Sequence, residues 1–231
     1  MILNSFGALS VIKESLAKYK SKEKPFVIAI DGRCASGKTT FAHMLASELS
    51  LSVIHTDSFF LPRSISGEAE QISVDGNFDI ERFYSEAVLG MMSQKPFYIG
   101  HFDCKTQKIT EAMHFKPSPC FIVEGAYSLN PKLGNYADMK IFFDVDEKTQ
   151  KDRILKRNGE KGLRAFEQVW IPAEERYFSN YRIKESCDFV VKTRYVYFLG
   201  DFMQGERSSF FKSIILNPLV LIGLILTGFT L

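Results

Sequence analysis

The sequence predicts an α/β fold in which helices cover both faces of a mostly parallel sheet, a three-layer αβα sandwich. Three observations carry this. Short apolar runs recur along the chain, at 26–30, 52–57, 120–124, 140–146 and 187–191. Segments with helical spacing of apolar residues separate most of them, which is the pattern of strand–helix–strand units. The run "FVIAI" (26–30) passes directly into a glycine-containing loop and then a helix-forming stretch.

The elements follow in order. Leu3, Phe6, Leu9, Ile12 and Leu16 fall at helical spacing and predict an amphipathic helix over 3–19, within an N-terminal segment 1–22. "SKEKP" is a polar break. "FVIAI" is β-branched and suits a buried strand. Residues 38–49 read as a helix, and "SVIHTD" (52–57) as a strand ending in an acid. Residues 61–78, with Pro62, Gly67 and Gly76, read as a long loop. Asp79 stands at a helix N-cap position ahead of a helix over 79–94. Strands are expected at 97–102, 120–124 and 140–146, then a basic helix over 147–158. A further helix, interrupted by Pro172, covers 163–181, and "CDFVV" (187–191) is the last strand. Trp170 and Tyr177 are seven apart on that helix and read as core.

Composition narrows the class. A chain of 231 residues, 45% hydrophobic and 24% charged, suits one large domain or one domain with appendages. The net charge of +2 gives no electrostatic case for a nucleic-acid partner. The four cysteines, Cys34, Cys104, Cys120 and Cys187, are far apart and form no CxxC pair. Neither a disulfide framework nor a zinc site is expected, and a cytoplasmic, reducing location fits. The N-terminus has no continuous apolar stretch of the signal-peptide kind.

The loop carries the clearest chemistry. Gly32-Arg33-Cys34-Ala35-Ser36-Gly37-Lys38-Thr39 has the spacing G-x-x-x-x-G-K-[ST], the Walker A pattern, and Thr40 follows it. The glycines let backbone N–H groups turn around an anion, and the helix that follows adds its positive N-terminal end. Lys38 supplies charge for the β- and γ-phosphates, and the Thr39 hydroxyl can ligate Mg²⁺. ATP or GTP with Mg²⁺ is therefore expected on Gly32 through Thr40. The dinucleotide pattern G-x-G-x-x-G is absent from this loop.

Other residues bear on where a phosphoryl group would go. Asp57 ends a strand at the sheet edge where α/β proteins bind ligands, and its carboxylate could accept a hydroxyl proton; a strand-end Asp is the alternative. Glu124 ends "CFIVE" and could reach Mg²⁺ directly or through water. Arg153 and Arg157 are four apart and share a helix face, which suits either a phosphate clamp or a solvated surface.

The segments "GRCASGKTT", "HTDSFF", "GNFDIERF", "IVEGAYSL" and "DVDEKTQKDRILKRNG" occur here in the order seen in uridine kinases and related P-loop nucleoside kinases, and the chain resembles that family from about 25 to 191. "WIPAEERYF" is similar to a segment of the uridine kinase-like branch. The resemblance implies a P-loop kinase-type sandwich with a five-stranded sheet and a lid. It implies ATP-dependent phosphorylation of a small hydroxylated molecule, most naturally a nucleoside such as uridine. Asp57 would be the catalytic base beside Lys38, and Asp79 would hold the ribose hydroxyls. Phe102 and Asp103 would lie in the base-binding segment, where the family carries a Tyr and a nearby His; here the aromatic is Phe102, preceded by His101. Glu124 would sit between metal and sugar, so that Thr39 and Glu124 form the metal site. Arg153 and Arg157 would belong to the lid over the transferred group.

The kinase unit is expected over 23–195, with an extension at 196–231. Within it, Ser213–Leu231 is uncharged and close to the shortest span of a bilayer core as a helix. Arg207 and Lys212 precede it and would keep the domain cytoplasmic. A membrane anchor, a packed terminal helix and read-through sequence are three readings of this tail. The first makes a membrane-attached nucleotide-binding or regulatory protein the alternative to a kinase, and another small alcohol (pantothenate, a sugar phosphate) is the alternative acceptor. Oligomeric state does not follow from the sequence.

Overall fold

The computed structural model describes residues 1–21, 23–62, 73–103 and 106–193. The extension 196–231, its apolar tail, and most of the expected 61–78 loop lie outside the described residues.

In chain order the elements are β1 (Ile2–Leu3), α1 (Ser5–Lys18), β2 (Phe26–Gly32), α2 (Lys38–Leu49), β3 (Ser52–His55), α3 (Ile80–Arg82), α4 (Leu89–Met92), β4 (Phe97–Asp103), β5 (Lys108–Phe115), β6 (Cys120–Glu124), β7 (Met139–Val145), α5 (Glu147–Ala165), α6 (Ile171–Tyr181) and β8 (Phe189–Thr193). A π-helical stretch, Phe83–Val88, joins α3 to α4, and another, Phe166–Trp170, joins α5 to α6. The main sheet has six strands in the order β1-β8-β7-β2-β6-β3, every pair parallel. β4 and β5 form a separate antiparallel hairpin.

The central strands are apolar on both sides because helices cover both faces. On β2, Phe26, Ile28 and Ile30 join one core with Phe41, Ala42 and Leu45 of α2 and Ala8 and Ile12 of α1. Val27 and Ala29 alternate to the other core, with Phe83, Ala87 and Val88 and with Tyr177 and Phe178 of α6. Each fully buried Phe or Ile on these faces contributes roughly 1.5–3 kcal/mol relative to exposure.

Three differences from the sequence expectations have physical causes. The sheet gains a sixth strand because Ile2 and Leu3 pair with Val190 and Val191 before Asn4 caps α1 at the Gly7 N–H. The 97–102 strand forms, but it pairs with 108–115 outside the main sheet. Pro172 does not break the helix; Trp170 and Ile171 before it keep helical dihedrals, and the chain runs from the π-helical stretch Phe166–Trp170 straight into α6. The gap expected between the 147–158 and 163–181 helices narrows to a kink at Gly159, at φ 68° within α5.

Candidate active site

The loop between β2 and α2 is shaped by two glycines. Gly32 sits at φ 129° and an added Cβ would lie 2.1 Å from the Phe143 carbonyl oxygen of β7. Gly37 caps α2 at φ 95°, a left-handed conformation that side chains resist. Between them the loop is held from outside by long-range bonds. Gln150 donates to the Cys34 carbonyl, Arg153 to the Ala35 carbonyl, and Thr193 to the Ser36 carbonyl. Arg33 pairs with Asp144 of β7 and, through both terminal nitrogens, with Glu175 of α6. Lys38 lies inside, donating to the Gly32 and Arg33 carbonyls at 2.7 and 2.9 Å. Among the described residues the buried Ser36 hydroxyl has no hydrogen-bond partner, an orphaned polar atom at the place where an anion is expected.

Below the loop, Asp31 is fully buried and accepts bonds from Gly32 N (2.7 Å), Leu129 N (3.0 Å) and the Tyr177 hydroxyl (2.8 Å). Burial pushes its pKa above the usual carboxylate value, against the pull of those donors and Lys38.

A cleft of about 470 Å³ opens beside the loop. It brings together Cys34, Ala35, Lys38, Thr39, Asp57, Phe102, Glu124 and Arg157 from the expected set. It adds Phe60, Leu61, Asn77, Gln107, Gly125, Ala126, Tyr127, Phe166, Trp170 and Glu174. The Asp57 carboxylate is open to the cleft and makes no side-chain hydrogen bond among the described residues. The residue is exposed on its cleft side, and the protein packed around the rest of it raises its pKa; the Glu124 charge adds to this, while Lys38, His55 and Arg157 oppose it.

Glu124, 4% exposed, faces the first turn of α2. The Thr39 hydroxyl is 3.2 Å from each of its oxygens, and His55 Nδ1 is 2.6 Å from Oε1. That hydrogen bond is the main cause of a raised His55 pKa. Thr39 and Glu124 thus present hard oxygen donors side by side, the donor type that Mg²⁺ takes. Among the described residues no cluster of three or more His, Cys, Asp or Glu could hold a metal by itself; a Mg²⁺ shared with substrate phosphates needs only one or two protein ligands.

Three expected residues lie elsewhere. Asp79 is an N-cap, accepting from Arg82 N at 3.0 Å, and does not line the cleft. Asp103 accepts from Thr106 in the β4–β5 turn. Arg153 is spent on the Ala35 carbonyl and the Thr193 hydroxyl, so of the two arginines it is Arg157, beside the Phe166 ring, that faces the cleft. The structure brings the 32–39 loop, Thr39 and Glu124 together at the cleft. The core reading holds for Tyr177 but not for Trp170, which reaches the cleft opposite Phe60 at 6.5 Å between ring centroids. No local pattern marked Trp170 or Glu174 as cleft residues.

Among the described residues no helix is long and apolar enough to cross a membrane. No family model matches the chain. Uridine kinase-like protein 5 of Arabidopsis thaliana is 33% identical over 146 residues, which are 59% of this chain and 31% of that protein. Uridine kinase-like protein 3 of the same plant is 32% identical over 169 residues, 68% of this chain and 36% of that protein. The chain therefore spans about a third of the length of these plant relatives. A uridine kinase of Lactobacillus helveticus is 27% identical over 158 residues, 64% of this chain and 74% of that protein. In fold, a possible uridine kinase from Bacillus stearothermophilus superposes with TM-score 0.62 at 16% identity, covering 79% of this chain and 96% of that one. D-glycerate 3-kinase from Cryptococcus neoformans superposes with TM-score 0.54 at 13% identity, over 81% and 95% of the two chains. In sequence the chain is similar to uridine kinases and uridine kinase-like proteins, and it carries the P-loop kinase fold.

Proposed function

We propose that the protein transfers the γ-phosphoryl group of ATP or GTP to a hydroxyl of a small molecule, with a nucleoside such as uridine as acceptor. The observation that supports this most is the convergence of Asp57, Lys38, Thr39 and Glu124 on one cleft next to a phosphate-shaped loop. A hydrolase needs only water beyond the loop; this cleft extends past Asp57 to Phe60, Asn77, Phe102 and Trp170, room and chemistry for an organic acceptor.

In this reading the loop amides and Lys38 hold the donor phosphates, and the acceptor hydroxyl lies between Asp57 and the γ-phosphorus. The acceptor oxygen bonds to phosphorus as the bond to the β-phosphate oxygen breaks. The hydroxyl proton passes to Asp57, and the nucleoside diphosphate leaves. The raised pKa of Asp57 brings it nearer to working pH, which improves a base. Arg157 neutralises charge on the transferred group. Mg²⁺, held by Thr39 and Glu124, supplies charge neutralisation of the donor phosphates when bound.

Asp57→Asn tests the assignment. Transfer should fall by about 10²–10⁴-fold while nucleotide affinity is retained; full activity in that variant refutes the role. A second acceptor class is favoured by two facts: Phe102 has no hydroxyl to offer a base, and D-glycerate 3-kinase shares the fold. A panel of nucleosides and small alcohols with Mg²⁺-ATP, and a water-only control, separates these readings.

A further inference from the structure

Among the described residues, Glu174 is the one buried carboxylate in the cleft wall to which the proposed transfer gives no role. It is 7% exposed and lies on the first turn of α6. Its Oε2 accepts the Cys34 backbone N–H at 2.8 Å, so a carboxylate already holds one of the loop's amides. Lys38 is its strongest charged neighbour and attracts it. An anionic oxygen on a loop amide occupies the place one phosphate oxygen would take, and Lys38, bonded to the Gly32 and Arg33 carbonyls, attracts it through charge.

The carboxylate has little freedom to withdraw. Its neighbours on α6, Ala173 and Tyr177, are fully buried, and the Tyr177 hydroxyl is tied to Asp31. Glu175, the next residue, is pinned to Arg33 of the loop. A phosphate arriving beside a fixed carboxylate would place like charges together where little water screens them.

We propose that Glu174 competes with the donor's terminal phosphate for Lys38 and the Cys34 amide, and that donor binding neutralises it by uptake of one proton. This rests on reading the loop as a nucleotide site. The titratable groups facing Glu174 are Lys38 on α2, Asp31 at the end of β2, Cys34 in the loop and Tyr127 after β6. Lys38 favours its ionised form and Asp31 opposes it. Burial is the larger influence and pushes Glu174 up to about 7, so the proton is available near neutral pH. Glutamine keeps the bond to Cys34 and removes the charge.

The test is calorimetric titration of Mg²⁺ with a non-hydrolysable ATP analogue into the full chain, at pH 7 and 8, in buffers of different ionisation enthalpy. With a carboxyl of about 7, Glu174→Gln should bind about twofold tighter than wild type at pH 7 and about tenfold tighter at pH 8. Wild type should take up most of one proton more than the variant at pH 8, a comparison that subtracts the nucleotide's own titration. Equal affinities and equal proton uptake in two folded proteins overturn the proposal. The same gain from Glu175→Gln also overturns it, since the effect would then belong to the charge of α6. If wild type and variant both fail to bind, the donor reading falls and takes this one with it; if both bind alike, only this one falls.

Discussion

Removing a single oxygen from Tyr177 should destabilise the whole molecule. Tyr177 and Asp31 are both fully buried, and the phenol hydroxyl donates to Asp31 Oδ2 at 2.8 Å. Tyr177→Phe keeps the ring, and with it the packing against Tyr127 and Phe178, so the apolar contribution barely changes. What is lost is one of three donors to a buried carboxylate, the others being Gly32 N and Leu129 N. A hydrogen bond to a charged group contributes about 1.5–3 kcal/mol. For a chain of this size a loss of about 2 kcal/mol lowers Tm by about 4–8 °C. The Tyr177 bond also lowers the Asp31 pKa, so the variant's carboxyl rises further. A carboxyl whose pKa is raised by folding costs stability as pH climbs through that value, and it costs more in the variant. The deficit should therefore widen with pH. Melting followed by circular dichroism at several pH values measures it. A Tm drop under about 1 °C, or a deficit that narrows as pH rises, refutes the reasoning.

Gly32→Ala should fail to fold or lose about 4 kcal/mol or more, because its Cβ would strike the Phe143 backbone; expression and melting check this. Arg157→Ala should lower the transfer rate at unchanged Tm, whereas Arg153→Ala should lower Tm by freeing the Ala35 carbonyl and the Thr193 hydroxyl; paired kinetics and melts separate the two. Glu174 is raised by burial from 4.5 to about 7. Its contribution is present below the unfolded value and lost as pH rises toward the folded one, so Glu174→Gln should gain about 2–3 kcal/mol on wild type between pH 5 and pH 8. Denaturant titrations at the two pH values would show no such gain if the carboxylate were well solvated.

The parts of this molecule that were legible in its sequence are those whose cause is local. The apolar runs of β2, β6, β7 and β8 announce buried strands, and G-x-x-x-x-G-K-T announces its loop because the spacing itself creates the backbone geometry. Glu124 was legible as a strand-end acid; Asp57 was read the same way, but β3 stops at His55 and Asp57 lies just beyond it in the 3-10 turn Thr56–Phe59. The remainder depends on partners far along the chain. Glu174 sits in "PAEER", which reads like a solvated helix face; its burial comes from Cys34, 140 residues earlier. The family resemblance makes Arg153 a lid residue beside Arg157, yet it donates to the Ala35 carbonyl and the Thr193 hydroxyl. The 97–102 strand carries no mark of which sheet it joins, since 108–115, with its polar positions, does not read as a partner. Two residues, Ile2 and Leu3, are too few for any periodicity to reveal.

Those two residues have a consequence out of proportion to their number. The Val190 N–H is satisfied by the Met1 carbonyl, and β1 lies along the outer side of β8. Without them β8 would present a row of unpaired amides and carbonyls, bordered by Phe189, Val190 and Val191. A bare apolar margin of this kind recruits strands from other chains. The first three residues act as a selvedge on the sheet, and trimming them would threaten solubility before it touched the cleft.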